Sequence, residues 1–232
     1  MPGIRRGHRV RRARLMGTAA VLTAAAVAGG TALAGTAAAT APRGTGTPGP
    51  AELRSALLTP SDTGMNGAQS TGGGSGVAGD GVSGCPALVK VLKAPPGPGT
   101  QEADFTGGRS GPLLSEQLTA GSSASGAAAY ARDKAALTTC RDLTLTSDGT
   151  ELALKLTPIR FGDGRTAATR MDGELSGVPV NGYLAFGRVG PVLVGYMFFQ
   201  VSDTSSRLAS ALYRKAVDKV RHTVSTGGGT PV

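Results

Sequence analysis

Few side chains in this 232-residue chain could make or break a bond. Histidine occurs only as His8 and His222, and His8 lies within a basic N-terminal segment. A Ser-His-Asp triad would have to use His222, yet nothing around it resembles a nucleophile turn. His222 falls in the last turn of a C-terminal helical pattern, where a solvated cation suits the helix dipole. Two cysteines and one further histidine offer no ligand set for a transition metal. Glu116, Glu151 and Glu174 could in principle supply a carboxylate pair for glycoside hydrolysis. Each reads instead as a solvated strand or turn residue. Neither a catalytic constellation nor a metal or cofactor is therefore expected, and a secreted hydrolase is the least favoured function.

The residues with most to offer a ligand lie in a C-terminal hairpin. Val178 to Gly187 and Val192 to Val201 are apolar strands joined at Arg188-Val189-Gly190-Pro191. A two-residue turn at Val189-Gly190 pairs Tyr183 with Tyr196, Asn181 with Phe198 and Ala185 with Val194. The opposite face then pairs Phe186 with Leu193, Gly182 with Met197 and Val180 with Phe199. That second face is wholly apolar and is expected to lie under helices. Asn181, Tyr183, Tyr196 and Phe198 mix polar tips with an apolar surface, which is what a small-molecule cleft needs. An ordinary half-exposed sheet face with a cross-strand Tyr pair has the same composition.

The elements that position this hairpin follow from periodicity. Glu52–Leu58 reads as a short helix stopped by Pro60. Residues 63–84, rich in Gly, Ser and Asn, read as a long surface loop without phosphate-loop spacing. CPALVKVLK is helical, with Pro86 near its first position. Phe105 and Leu113–Thr119 are strands, and Ser125 caps a helix over Gly126–Cys140. Leu143 and Leu145 alternate with polar residues, Asp148-Gly149 turns the chain, and Leu152, Leu154 and Leu156 continue on one face. At Pro158 the apolar phase flips to Ile159 and Phe161, which points to a bulge or an edge position. Ala167–Leu175 forms another strand. Ser205–Val224, capped by Asp203 or Thr204, carries an apolar stripe of Leu208, Leu212, Tyr213, Ala216, Val217, Val220 and Val224. The expected class is α+β, an antiparallel sheet with helices packed on one face and one disulfide.

The compartment is read from the N-terminus. Arg5, Arg6, Arg9, Arg11, Arg12 and Arg14 precede an Ala-rich apolar stretch and then small residues. This is the layout of a secretory signal peptide over residues 1–39. The apolar stretch is short for a spanning helix, so no stable membrane anchor is expected after cleavage. Cleavage is expected after Ala39. Export is by the Sec route, with Arg11-Arg12 leaving the twin-arginine route open although Arg14 stands where an apolar residue is usual. Residues 40–49 are a flexible linker, 50–225 the folded domain and 226–232 a loose tail. The chain has 24 Lys+Arg and 15 Asp+Glu. Removing the six N-terminal arginines leaves 18 − 15 = +3. The basic balance thus reports the export signal, and no nucleic-acid partner is expected. In an oxidising compartment Cys85 and Cys140 are expected to pair as a disulfide, the alternative being two buried thiols.

The helix ending ELRSALLTPSDT, the Cys-bearing helix CPALVKVL, the helix ending LTTC, a strand-rich half and a C-terminal helix occur in a familiar order. Over residues 50–225 the chain resembles the extracellular sensor domain of the mycobacterial PknH-type serine/threonine kinase and secreted actinobacterial sensor-domain proteins. That resemblance implies an antiparallel sheet with helices on one face and a cleft for an unidentified ligand. The resemblance implies two disulfides in the kinase's sensor domain, of which only the pair matching Cys85 and Cys140 has its cysteines here, and no kinase domain is expected in this chain. The expected function is a secreted, non-catalytic ligand-binding or sensor-like domain of the cell envelope or medium, whose partner is an unknown small molecule or envelope component. The alternative is a protein-interaction or envelope-structural module.

Overall fold

The protein is seen in a computed structural model that describes residues 47–71, 81–108, 111–147, 149–162, 165–201 and 205–226. The described residues all belong to the unit Ala41–Val232. The segment expected to be a signal peptide, most of the expected linker, the residues after Thr226 and the expected caps Asp203 and Thr204 lie outside them.

Among the described residues, five helices and nine strands follow in the order α1 (Pro50–Ala56), α2 (Pro60–Thr63), β1 (Asn66–Thr71), β2 (Gly81–Gly84), α3 (Pro86–Leu92), β3 (Gln101–Thr106), β4 (Leu113–Ala120), α4 (Ser123–Thr139), β5 (Asp142–Ser147), β6 (Thr150–Ile159), β7 (Ala167–Leu175), β8 (Val178–Val189), β9 (Val192–Val201) and α5 (Arg207–Thr226). The strands form one sheet in the order β1-β3-β4-β9-β8-β7-β6-β5-β2. Every neighbouring pair is antiparallel. The α+β class holds, with its antiparallel sheet and a Cys85–Cys140 disulfide.

Helices cover both faces of the sheet, not one. On the first face α1 and α5 bury Tyr183, Ala185, Val194, Tyr196, Phe198, Leu114 and Leu118. On the second, α3 and α4 cover Leu184, Phe186, Met197, Phe199, Leu154 and Leu156. Strands apolar on both faces require cover on both, because either face left in water would forfeit its burial. In α5, Leu212, Tyr213, Ala216, Val217 and Val220 are buried, whereas Leu208, placed in the same stripe, is exposed and Ala209 is buried instead.

The Gly-rich stretch 63–84 is not all loop. Its two ends are β1 and β2, which add to opposite edges of the sheet against β3 and β5. Edge strands are held by backbone hydrogen bonds and need no apolar alternation. The last hairpin turns at Gly190-Pro191, one residue later than expected, with Val189 opposite Val192. A two-residue hairpin turn requires a positive φ at its first central position. Gly190 supplies it, with φ 56 degrees. Tyr183 consequently pairs with Phe198, and Tyr196 with Ala185. The slip moves each partner by two residues, so the two faces keep their residues. The cap of α4 is Ser122, whose Oγ accepts the Ser125 N–H at 3.1 Å. At Pro158 the edge reading applies. β6 stays in register with β7 through Pro158 and Ile159, while its pairing with β5 ends at Lys155. Beyond that point Ile159 and Phe161 pack into the α5 core, which accounts for the flip in phase.

Candidate functional site

Asn181, Tyr183, Tyr196 and Phe198 share one face, as expected, but they form no open cleft: each is at most 1% exposed. Tyr183 stacks on Phe161 with ring centroids 5.5 Å apart. The Tyr196 hydroxyl donates to the Ala209 carbonyl of α5 at 2.9 Å. Asn181 Nδ2 donates to Asp172 Oδ1 at 2.7 Å and its Oδ1 accepts from Gln200 Nε2 at 3.4 Å. Their polar atoms hold α5 and neighbouring strands in place. The amphipathic stripe of α5 could lie over only one face, and this is the face it took.

Glu116 is likewise not solvated. It sits on the same face of β4, fully buried, and its Oε2 accepts the Leu58 N–H at 2.7 Å. Burial pushes its carboxyl up to about 8, against the Leu58 hydrogen bond and the nearby Lys219 charge. Lys219 on α5 donates to the Leu57 carbonyl at 2.6 Å and to Asp62 Oδ2 at 2.7 Å. Burial alone would raise Asp62, but hydrogen bonds from Lys219, Thr59 and Lys215 outweigh it and hold the carboxyl far below the usual range. The LLTPSD segment is thus clipped to α5 and β4 at three points. Its part is structural. Glu151 and Glu174 are exposed, as expected. His222 is exposed on α5, with Nδ1 2.7 Å from the carbonyl oxygen of Asp218.

The concavity lies on the opposite face of the sheet. A cavity of about 310 Å³ opens between α4, the end of α3 with the following Pro95-Pro96-Gly97, and strands β3, β4, β9 and β8. Its floor follows from strand register. One cross-strand row runs Glu102–Gln117–Gly195–Phe186, and the next runs Asp104–Ser115–Met197–Leu184. The floor is therefore polar toward β3 and apolar toward β8. Gly195 lies where the two halves meet. A Cβ there would stand 3.6 Å from both the Gln117 Cβ and the Phe186 ring, an ordinary contact, so its bare Cα leaves open space rather than relieving a clash.

Two buried carboxylates face this space. Glu102 is 1% exposed and its Oε1 accepts from Ser115 Oγ at 3.1 Å. Asp133 on α4 is 2% exposed, and its Oδ1 receives both Arg132 Nε at 2.9 Å and Nη2 at 2.8 Å. Burial raises the Asp133 carboxyl, opposed by Arg132; it also raises Asp104, opposed by a Ser115 hydrogen bond. The disulfide ties the roof together. Cys85 precedes α3, Cys140 follows α4, and their Cα atoms are 5.6 Å apart. A second cavity, of about 200 Å³, lies beside Arg165, Arg188 and Arg221 near the β8–β9 turn. It lacks the divided floor of the first. No histidine or cysteine lines the larger cavity, and no group of acids, histidines and cysteines able to hold a metal ion occurs among the described residues. No described helix is long and apolar enough to cross a membrane.

Of the four residues expected to bind a ligand, Tyr196 alone also borders the cavity. Ser115, Gln117, Glu102 and Asp133 were missed. The strand pairing that aligns β3 with β4 and β9 joins residues about 80 positions apart, and no local pattern announces it. The Leu184/Phe186/Met197 face was legible as apolar, but nothing in its pattern showed that α4 stands off part of it.

No family model matches the sequence, and no curated protein matches it. Among solved structures, the extracellular domain of PknH from Mycobacterium tuberculosis superposes with a TM-score of 0.58 at 12% identity, covering 77% of this chain and 100% of that one. An uncharacterized protein from Mycobacterium smegmatis aligns at 14% identity, with a TM-score of 0.38 over 74% of this chain and 95% of that one. At such identity the likeness speaks for the backbone alone: the chain has the fold of the PknH extracellular domain.

Proposed function

We propose that this chain is an exported, non-catalytic, sensor-like domain that binds a small ligand in the cavity between α4 and the sheet. The observation that carries this reading is the cavity itself, about 310 Å³ of space with an apolar half-floor and a few buried polar groups. That is the usual makeup of a small-molecule site. Four further features support it. The fold is shared with an extracellular domain. The Cys85–Cys140 disulfide fits an oxidising compartment, and the N-terminal segment has the layout of an export signal. The absence of histidine and cysteine from the cavity lining favours binding over nucleophilic chemistry.

Gly195→Val tests the reading. Its Cβ is accommodated at 3.6 Å, and its methyl groups are expected to take up cavity space while the fold is kept. A thermal-shift screen of envelope lipids, glycans and metabolites against both proteins should find ligands that raise the melting temperature of the wild type and not of the variant. Ligands that shift both equally would place binding elsewhere, and a screen without any shift would count against a ligand-binding role.

A further inference from the structure

We propose that the cavity is built for an amphipathic cation: an amine-bearing ligand whose ammonium lies toward Glu102 and Asp133 and whose apolar body lies on Leu184, Phe186 and Met197. The inference rests on the reading of the cavity as the ligand site and specifies what that site takes.

The floor has a direction. Across β3, β4, β9 and β8 the paired positions pass from Glu102 and Gln117, through Gly195, to Phe186, and from Ser115, through Met197, to Leu184. A ligand spanning that distance meets hydrogen-bonding groups at one end and hydrocarbon at the other. By residue type the polar end holds two carboxyl groups, Glu102 in the floor and Asp133 in the wall, against Arg132 as the cation that lines the space. Arg132 would be the natural partner of an anionic ligand, but its Nε and Nη2 both point to Asp133 Oδ1. An entering carboxylate or phosphate would therefore face Asp133 and Glu102 behind that guanidinium. An ammonium meets the opposite field, and it would offset the desolvation of two carboxylates that the fold has placed out of water. An ammonium also has three donors, enough to reach a carboxylate and the neutral oxygens of Ser115 or Gln117 together.

The test uses three probes that share an alkyl chain and differ in the head group: octylamine, 1-octanol and octanoate. Affinities are measured by calorimetry for the wild type, Glu102→Gln and Gly195→Val. Octylamine is expected to bind wild type at least tenfold more tightly than octanol, with octanoate weakest. Glu102→Gln should reduce the amine preference by about tenfold while leaving octanol unchanged, and Gly195→Val should weaken all three. An unchanged melting temperature of Glu102→Gln shows that the fold is kept. If Glu102→Gln lowers the melting temperature, Asp133→Asn provides the same comparison from the helix side. Octanoate binding as tightly as octylamine, or a preference insensitive to both carboxylate variants, overturns the cation inference and leaves the cavity reading standing. If none of the three binds, or if all bind Gly195→Val as well as wild type, the cavity reading falls too.

Discussion

Glu116 makes the stability of this domain depend on pH in a direction opposite to that of most carboxylates. In the folded chain burial pushes its carboxyl up to about 8, and in the unfolded chain it titrates near 4.5. Between those values the folded state holds a proton that the unfolded state has released. Stability must then fall as pH rises through that window and level off above it. Each pH unit is worth about 1.4 kcal/mol, so the full effect is at most about 5 kcal/mol. Movement of Lys219 toward the ionised carboxylate would reduce it. Glu116→Gln keeps an oxygen for the Leu58 N–H and cannot titrate. Urea unfolding of wild type and variant at intervals from pH 5 to pH 9 isolates the group, because every other titration is common to both. The difference curve should shift toward the variant by several kcal/mol between pH 5 and pH 8. Parallel curves over that range would refute the assignment of a buried, proton-holding carboxyl.

Other expectations follow from particular contacts. The disulfide joins residues with a sequence separation of 55. Reducing it, or replacing Cys85 and Cys140 by Ser, should lower stability by up to about 4 kcal/mol, measured by thermal unfolding with and without reductant. It should also loosen the cavity roof, seen as weaker ligand binding before unfolding. Lys219→Met removes the donor to the Leu57 carbonyl and to Asp62 and should cost about 1–3 kcal/mol at pH 7 in urea unfolding. Because Asp62 is held low in the folded state, that loss should shrink as pH falls below 3.8, where the unfolded chain takes up the proton first. Gly187→Ala would drive a Cβ into the Tyr213 hydroxyl. Tyr213 is 1% exposed and packed against Phe161 and Tyr196. The strain should appear as about 1–3 kcal/mol of lost stability in denaturant titration.

Most of the regular elements could be read before any coordinates, and what escaped has physical reasons. β5, the Leu152–Leu156 part of β6 and α5 show clean periodicities because each has a wet face and a dry one. β8 and β9 do not. Their runs of Tyr, Leu, Ala, Phe and Met on successive positions are the mark of strands covered on both faces. By composition the mixed face suits a cleft or a half-exposed sheet face, because its two tyrosines and one asparagine look wettable, whereas Tyr196 and Asn181 find protein partners. β1 (NGAQST) and β2 (GVSG) have almost no apolar signal, since an edge strand is recruited by the backbone of its neighbour. Glu116 lies in LSEQLT, a stretch any reader would solvate. Its burial is decided by Leu57 and Leu58, some 58 residues earlier, and by Lys219 more than 100 residues later.

The placement of β1 and β2 at opposite ends of one sheet has a consequence for its curvature. Strands laid flat at about 4.8 Å spacing would hold the first and last of nine roughly 38 Å apart. The chain leaves β1 at Thr71 and enters β2 at Gly81. Ten residue steps reach at most about 36 Å. A flat sheet would therefore ask more of the link than its full extension. The number of residues in the connection therefore sets an upper limit of about 36 Å on the distance between Thr71 and Gly81. Shortening the link by three residues would remove about 10 Å of reach and should force an edge strand to detach, whereas lengthening it by the same amount costs only loop entropy. The least patterned stretch of the folded domain thus limits how far the platform beneath its two cores and its cavity can flatten.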